Sequence, residues 1–185
     1  MTPRFLLIGC LLLLLAGPGC RPKSAQNAAP SVAVADSARR QVGPVNPIDQ
    51  AGLKKLVNER KGRILFLNIW ATWCAPCVEE FPDLIKLAQT YPESDVEVVG
   101  ISADYPDEVE SKILPFLRKQ NVPFRIFVAQ FDHQEDFINS VNPSWSGALP
   151  ATLVYDAKGT RRYFSVGAGT FKKFKRVVDS VRTLH

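Results

Sequence analysis

Cysteine, histidine and methionine are scarce in this chain, with four, two and one among 185 residues. A secreted domain stapled by structural disulfides would carry more cysteines at longer spacings, so that class is excluded. A structural zinc site lacks ligands, because beyond Cys74 and Cys77 the folded part offers only His133 and His185. No apolar run reaches the roughly 20 residues that a spanning helix needs. Lys and Arg exceed Asp and Glu by only 23 to 18, and no basic stripe interleaves with aromatics, which argues against a nucleic-acid partner. There is no internal repeat and no sign of a second folded domain. What remains is a hydrophobic content of 46%, sufficient for one globular domain with a core.

The scarce cysteines are placed with purpose. Cys74 and Cys77 are separated by Ala75 and Pro76, directly after the apolar stretch of residues 64–69 and just before a helical pattern from Val78. A thiol at a helix N-terminus meets the positive end of the helix dipole and free backbone N–H groups. Both favour the thiolate, the nucleophile of disulfide exchange. The second cysteine, one turn on, lies close enough to close a disulfide with the first. So short a loop would contribute little chain-entropy stabilisation. The pair is suited to moving two electrons, and no cofactor is implied. Pro76 suits the first helical turn, where its missing N–H costs nothing.

The N-terminus has the character of an export signal. Arg4 is followed by an apolar run at residues 5–16, then Gly17-Pro18-Gly19-Cys20. Small residues before a cysteine resemble the lipobox of bacterial lipoproteins, which implies lipidation at Cys20, although Gly17 stands where leucine is usual. Leu7-Ile8-Gly9-Cys10 matches that box better locally but leaves almost no apolar region ahead of it. An uncleaved N-terminal anchor is the alternative. Either places the domain outside the cytoplasm on a membrane tether. The expected organisation is a signal peptide at residues 1–19, a lipid-anchored flexible linker at 20–46 rich in Ala, Ser, Gln, Asn and Pro, and a folded domain at 47–185.

Within that domain, residues 49–60 show helical spacing with Asp49 at the start and Gly62 after the end. Residues 64–69 and 96–101 are apolar strands, the first of them continuous enough for a central position. A helix with Phe81, Leu84 and Ile85 on one face follows Cys77 and should kink at Pro82. Residues 107–121 suggest another helix, with Pro115 awkward in its interior. Residues 124–129 suggest a strand and 134–141 a short helix or turn. Strands at 152–155 and 161–166 are joined by Asp156-Ala157-Lys158-Gly159 as a hairpin. A closing helix spans 171–184, with Thr170 as N-cap.

Trp73-Cys74-Ala75-Pro76-Cys77 after a buried strand, with Leu149-Pro150-Ala151-Thr152 before a hairpin, resembles the thioredoxin superfamily. Asn68 to Cys74 together with Glu79-Glu80-Phe81-Pro82 is similar to the membrane-anchored TlpA/ResA-type thiol:disulfide oxidoreductases. The resemblance implies an α/β thioredoxin fold: a mixed central sheet flanked by helices, with an additional helix-strand insert at residues 107–129. It implies that Cys74 is the exposed attacking thiol and Cys77 the buried resolving thiol. Pro150 matches the family's cis-proline, which docks the substrate backbone, with Trp73 as a further docking surface. Thioredoxin's buried aspartate, six positions before the first cysteine, is Asn68 here and cannot ionise. In the ResA-like subgroup a glutamate three residues after the second cysteine manages the proton, and Glu80 holds that place. The competing reading sets Glu80, like Glu79, on a solvated face where it complements the helix N-terminus.

Trp70 and Trp73 are expected beside the disulfide, and the segment 141–147 with Trp145 at the rim of a substrate groove. The implied partners are protein disulfides, apocytochrome c among them, and a membrane thiol donor. The direction implied is reduction of the substrate, which residue identity alone does not fix. The alternative is a copper metallochaperone or redox sensor on the same fold, with His133 as the only distal ligand. A thiol peroxidase wants a threonine three residues before its cysteine, whereas Thr72 is two before.

Overall fold

The computed structural model describes residues 43–184; the signal segment, Cys10, Cys20, nearly all of the linker, and His185 lie outside them. The organising element is strand β2 (Ile64–Trp70), in which all seven residues are buried. Period-two alternation sends Ile64, Phe66, Asn68 and Trp70 to one face and Leu65, Leu67 and Ile69 to the other. Ile64, Phe66 and Trp70 join a core cluster with Phe81, Leu84, Phe174 and Val178. The second set packs with Leu53, Val99, Ile101, Phe137 and Trp145. A continuous apolar run is what a strand covered on both sides requires.

Six strands form one mixed sheet in the order β1-β4-β3-β2-β5-β6. Strands β1 (Asn46–Ile48), β4 (Arg125–Ala129), β3 (Val96–Ser102) and β2 run parallel. Strands β5 (Ala151–Tyr155) and β6 (Arg161–Val166) add an antiparallel hairpin against β2. Helices α2 (Ala75–Thr90) and α5 (Phe171–Arg182) cover one face, and α1 (Gln50–Asn58) and α4 (Gln134–Val141) the other. The short α3 (Leu114–Gln120) precedes β4, and together they form the helix-strand insert. Asp49 caps α1 by accepting from the Gly52 N–H at 2.7 Å, and Thr170 caps α5. Gly100 pairs with Asn68 across β2 and β3. A side chain there would lie 2.5 Å from Ile126 and 3.1 Å from Trp70 Nε1, so only glycine lets the aromatic ring pack against the sheet.

Two features depart from the sequence reading. Strand β1 begins at Asn46, inside the expected linker; three residues containing a proline carry too little pattern to announce a strand. Helix α2 contains Pro82 as expected, on its exposed side where water can reach the carbonyl that proline leaves unpaired. The single helix expected at 107–121 is instead a 3-10 turn (Pro106–Glu108), a π turn (Val109–Ile113) and α3. Pro115 explains this: it has no N–H for an i−4 bond, and the wider π turn shifts the ladder so that proline falls in the first turn of α3.

One buried charge cluster ties the parallel strands together. Glu97 on β3 accepts from Arg60 at 2.9 Å and forms ion pairs with Arg63, 3.0 Å away, and with Arg125. Burial alone would raise the Glu97 pKa, but the Arg60 hydrogen bond and the charges of Arg125, Arg60 and Arg63 outweigh it and hold the group below its usual 4.5. A lowered folded pKa contributes stability above the unfolded value and loses it as pH falls. Glu97→Gln should therefore destabilise the protein at neutral pH by about 3–5 kcal/mol, since Arg60 would be left buried and unpaired. It should also flatten the decline in stability below pH 4.5. Urea unfolding at several pH values measures both.

Candidate active site

Chain direction brings the site together. Parallel β2 ends at Trp70, and α2 must start almost at once, with Ala71, Thr72 and Trp73 as the only residues between strand and N-cap. Cys74 is that N-cap, in extended conformation, and its carbonyl accepts from Val78 N–H at 3.1 Å. Cys77 lies in the first turn, and the two form a disulfide with Cα atoms 5.2 Å apart. The thiol-bearing position is thus at the positive end of a 16-residue helix. Cys77 is fully buried and Cys74 is 6% exposed. The asymmetry has the expected direction, but Cys74 is far more shielded than an exposed thiol.

The Leu149–Pro150 peptide bond is cis, as the resemblance implies. Pro150 precedes β5, the strand paired with β2, and its carbonyl accepts from Gly167 N–H at the end of β6. The two tryptophans part company. Trp70 is buried against Phe81 and Phe116, with ring centroids 4.5 and 5.1 Å away, in the cluster that also holds both cysteines. Trp73, by contrast, is 66% exposed. It borders a cleft of about 570 Å³ lined by Tyr105, Phe131, Trp145, Gly147 and Leu149 among others. Trp145 is nonetheless buried: its indole N–H donates to Ala148 O, so it supports the cleft from below. A larger groove of about 980 Å³ surrounds the Arg60–Glu97 pair and includes no residue expected at the site.

Glu80 is not on a solvated face. It is 3% exposed, whereas Glu79 faces solvent. Its Oε1 accepts from Asn68 Nδ2 at 2.8 Å and its Oε2 from Gly169 N–H at 2.8 Å. Burial pushes its pKa up, while the two hydrogen bonds and Lys173 oppose that rise and Asp83 adds to it; the net shift is upward. One turn of helix separates it from Cys77, on the same buried face. Asn68 therefore acts by orienting the carboxylate. Sequence reading missed Gly169, which must be glycine because a Cβ would meet the Phe174 ring at 2.1 Å. It also missed Asp104, which accepts from the Thr72 N–H and hydroxyl. The closely spaced Gly167 and Gly169 ahead of the Thr170 cap were the available signal for the first.

The copper reading gains no support, because among the described residues no three His, Cys, Asp or Glu side chains gather as a metal-holding group. His133 is the N-cap residue of α4, and its side chain makes no capping bond.

A disulfide at a strand-to-helix junction, with a cis-proline at the start of the strand paired to β2 and this sheet order, defines a thioredoxin-like dithiol–disulfide enzyme. Comparison with known proteins agrees. The profile of the AhpC/TSA family matches residues 27–164, and the chain belongs to that family. It is 30% identical over 129 residues to a thiol-disulfide oxidoreductase ResA of Bacillus cereus, covering 68% of this chain and 69% of that protein. The protein of the same name from Geobacillus kaustophilus is 27% identical over 134 residues, 72% of each chain. Among solved structures, a thioredoxin-related protein from Neisseria meningitidis serogroup B superposes with a TM-score of 0.56 at 27% identity, covering 65% of this chain and 85% of that one. The protein is a thiol-disulfide oxidoreductase.

A raised Glu80 pKa has a thermodynamic sign. The folded state binds the proton more tightly than the unfolded chain, so stability falls as pH rises from the ordinary 4.5 through the folded value. Glu80→Gln should remove that slope, whatever it does to absolute stability. Denaturant midpoints across this pH range, compared with wild type, provide the check; an identical slope in the variant means Glu80 is not the titrating group.

Proposed function

We propose that this protein reduces selected protein disulfides outside the cytoplasm, held at a membrane through Cys20 and recharged by a membrane thiol donor. The observation that carries this reading is the Cys74–Cys77 disulfide at the N-terminus of α2 with the buried Glu80 behind it. In the reduced protein the Cys74 thiolate attacks one sulfur of a substrate disulfide. A mixed disulfide forms and the other substrate sulfur leaves as a thiolate. Glu80 takes the Cys77 proton, and the Cys77 thiolate attacks Cys74 Sγ. The second substrate sulfur departs, and the electron pair has passed from enzyme dithiol to substrate. The membrane donor then reduces the Cys74–Cys77 bond. Pro150 and the exposed Trp73 dock the substrate chain, and the cysteine pair of an apocytochrome c is the first substrate to test.

Support for the location comes from the export-type N-terminus and its small-residue run before Cys20. Among the described residues no helix is long and apolar enough to cross a membrane. A peroxidase reading is disfavoured on geometry, because the Thr72 hydroxyl is committed to Asp104 at 2.6 Å.

Redox titration of the full chain in detergent, followed by alkylation and mass measurement, should show a single two-electron couple confined to Cys74 and Cys77. A midpoint well below that of the cell envelope supports a reductant, and a high one reverses the direction. Failure of the pair to interconvert would remove the central claim. Cys77→Ser should accumulate a mixed disulfide through Cys74, whereas Cys74→Ser should accumulate none. Replacing Cys20 by Ser should abolish fatty-acid labelling and shift the protein to the soluble fraction; retained labelling assigns the anchor elsewhere.

A further inference from the structure

Just past the last paired residues of β2 and β3 lies a buried carboxylate that the exchange does not itself use. Asp104 is 2% exposed. Its Oδ2 accepts from Thr72 N–H at 2.9 Å and from Ser102 Oγ at 2.5 Å, and its Oδ1 accepts from Thr72 Oγ1 at 2.6 Å. Its own N–H donates to Ser102 Oγ at 3.0 Å. Among the described residues no cation forms an ion pair with it; the pairs that exist join other groups. Lys112 acts on it only through space; burying a carboxylate with no cation in contact is costly, and hydrogen bonds to a charged acceptor are about twice as strong as neutral ones. Three donors converge on two oxygens, and two of them belong to Thr72. An arrangement of this cost fixes Thr72 in place.

Thr72 is the middle residue of the three that link β2 to Cys74. Its neighbours are tied as well: Ala103 N–H donates to Trp70 O at 2.8 Å, and Cys74 N–H to Ala71 O at 3.2 Å. Trp73 itself has no such tie and stands in solvent on one side of the cleft. On the other segment, Tyr105 follows Asp104 directly and is 74% exposed. Asp104 thus joins the two loops whose exposed aromatics border the cleft, and one of them, Trp73, directly precedes Cys74.

We propose that Asp104 is a positioning residue for substrate recognition: through Thr72 it holds Trp73 in register with Tyr105, so that a protein disulfide is presented to Cys74. The proposal rests on the exchange assigned to Cys74 and Cys77. Its consequence is selective. A small disulfide needs only the thiol, and a protein disulfide needs the rim.

The decisive comparison uses the full chain in its reduced state, with insulin as protein disulfide and 2-hydroxyethyl disulfide as small probe. Alanine at position 104 would remove both acceptors, whereas an amide there could keep the Oδ2 bonds with its oxygen and donate to the Thr72 hydroxyl with its nitrogen. Asp104→Ala should raise KM for insulin by about ten- to a hundredfold, the scale that misplacement of a binding group produces, while the rate with the small probe stays within about threefold. Thr72→Val, which loses the hydroxyl alone, should move KM the same way, and Thr72→Ser, which keeps both bonds, should behave as wild type. Thr72 amide hydrogen exchange should quicken in Asp104→Ala and Thr72→Val and not in Thr72→Ser, a readout that needs no turnover. An unchanged insulin KM in folded Asp104→Ala overturns the proposal, as does an equal loss with both substrates, a Thr72→Ser variant as impaired as Thr72→Val, or unchanged Thr72 exchange. Inactivity of wild type toward both disulfides would instead count against the exchange itself, and the amide exchange would still decide the role of Asp104.

Discussion

Everything at this site depends on how a strand buried on both faces becomes a helix within three residues. Strand β2 lies between parallel β3 and antiparallel β5, so its direction and register are held on both sides. The helix that follows must return across one face of the sheet, and its first turn can only stand at the C-terminal edge of β2. That edge is where the unpaired N–H groups of α2 and the positive end of its dipole meet Cys74. Chemistry at the cysteine is therefore a by-product of a packing solution. The strand is buried because the core needs it, and the handover exposes the first turn because nothing else fits so short a link.

Around that junction the structure places three polar groups where apolar side chains would pack at lower cost. Asn68 takes the β2 position that faces α2, and it reaches Glu80 because even-numbered residues of β2 share that face. Glu80 accepts from the turn before α5 at Gly169, where a Cβ would strike the Phe174 ring. Asp104 binds the link itself. Each carboxylate is met by donors rather than left bare, as the cost of a buried charge demands. The two differ in what they hold. Glu80, held by Asn68 and Gly169, lies one helical turn from Cys77, whereas Asp104 holds Thr72 in the link itself.

A second polar centre, around Glu97, works at the other end of β2 and has a different character. Three arginines surround one carboxylate at the start of β3, joining the segment after α1 to β3 and β4. Nothing in it touches the cysteines. It fastens the parallel half of the sheet, while the segment that leaves the antiparallel half after β6 is fastened to α2 through the Gly169 bond to Glu80.

Much of this was legible in the chain because the signals were local. The Cys74–Cys77 spacing, the unbroken apolar run of β2, the helical faces of α2 and α5, and the turn at Asp156 to Gly159 each report on neighbours a few residues apart, where periodicity and propensity act. The residues also identified Glu80 as a candidate but left its surroundings open between solvent and core. Burial of that carboxylate depends on Asn68 from twelve residues before it and Gly169 from 89 after it, and no local pattern encodes such a meeting. The same holds for Asp104, 32 residues from the threonine it binds. Pro115 and the edge strand β1 were misjudged for a related reason: a π turn and a three-residue strand exist because the rest of the sheet stabilises them. Local sequence determined which residues could react; the long-range packing of strands and turns decided which of them are buried, paired and able to act together.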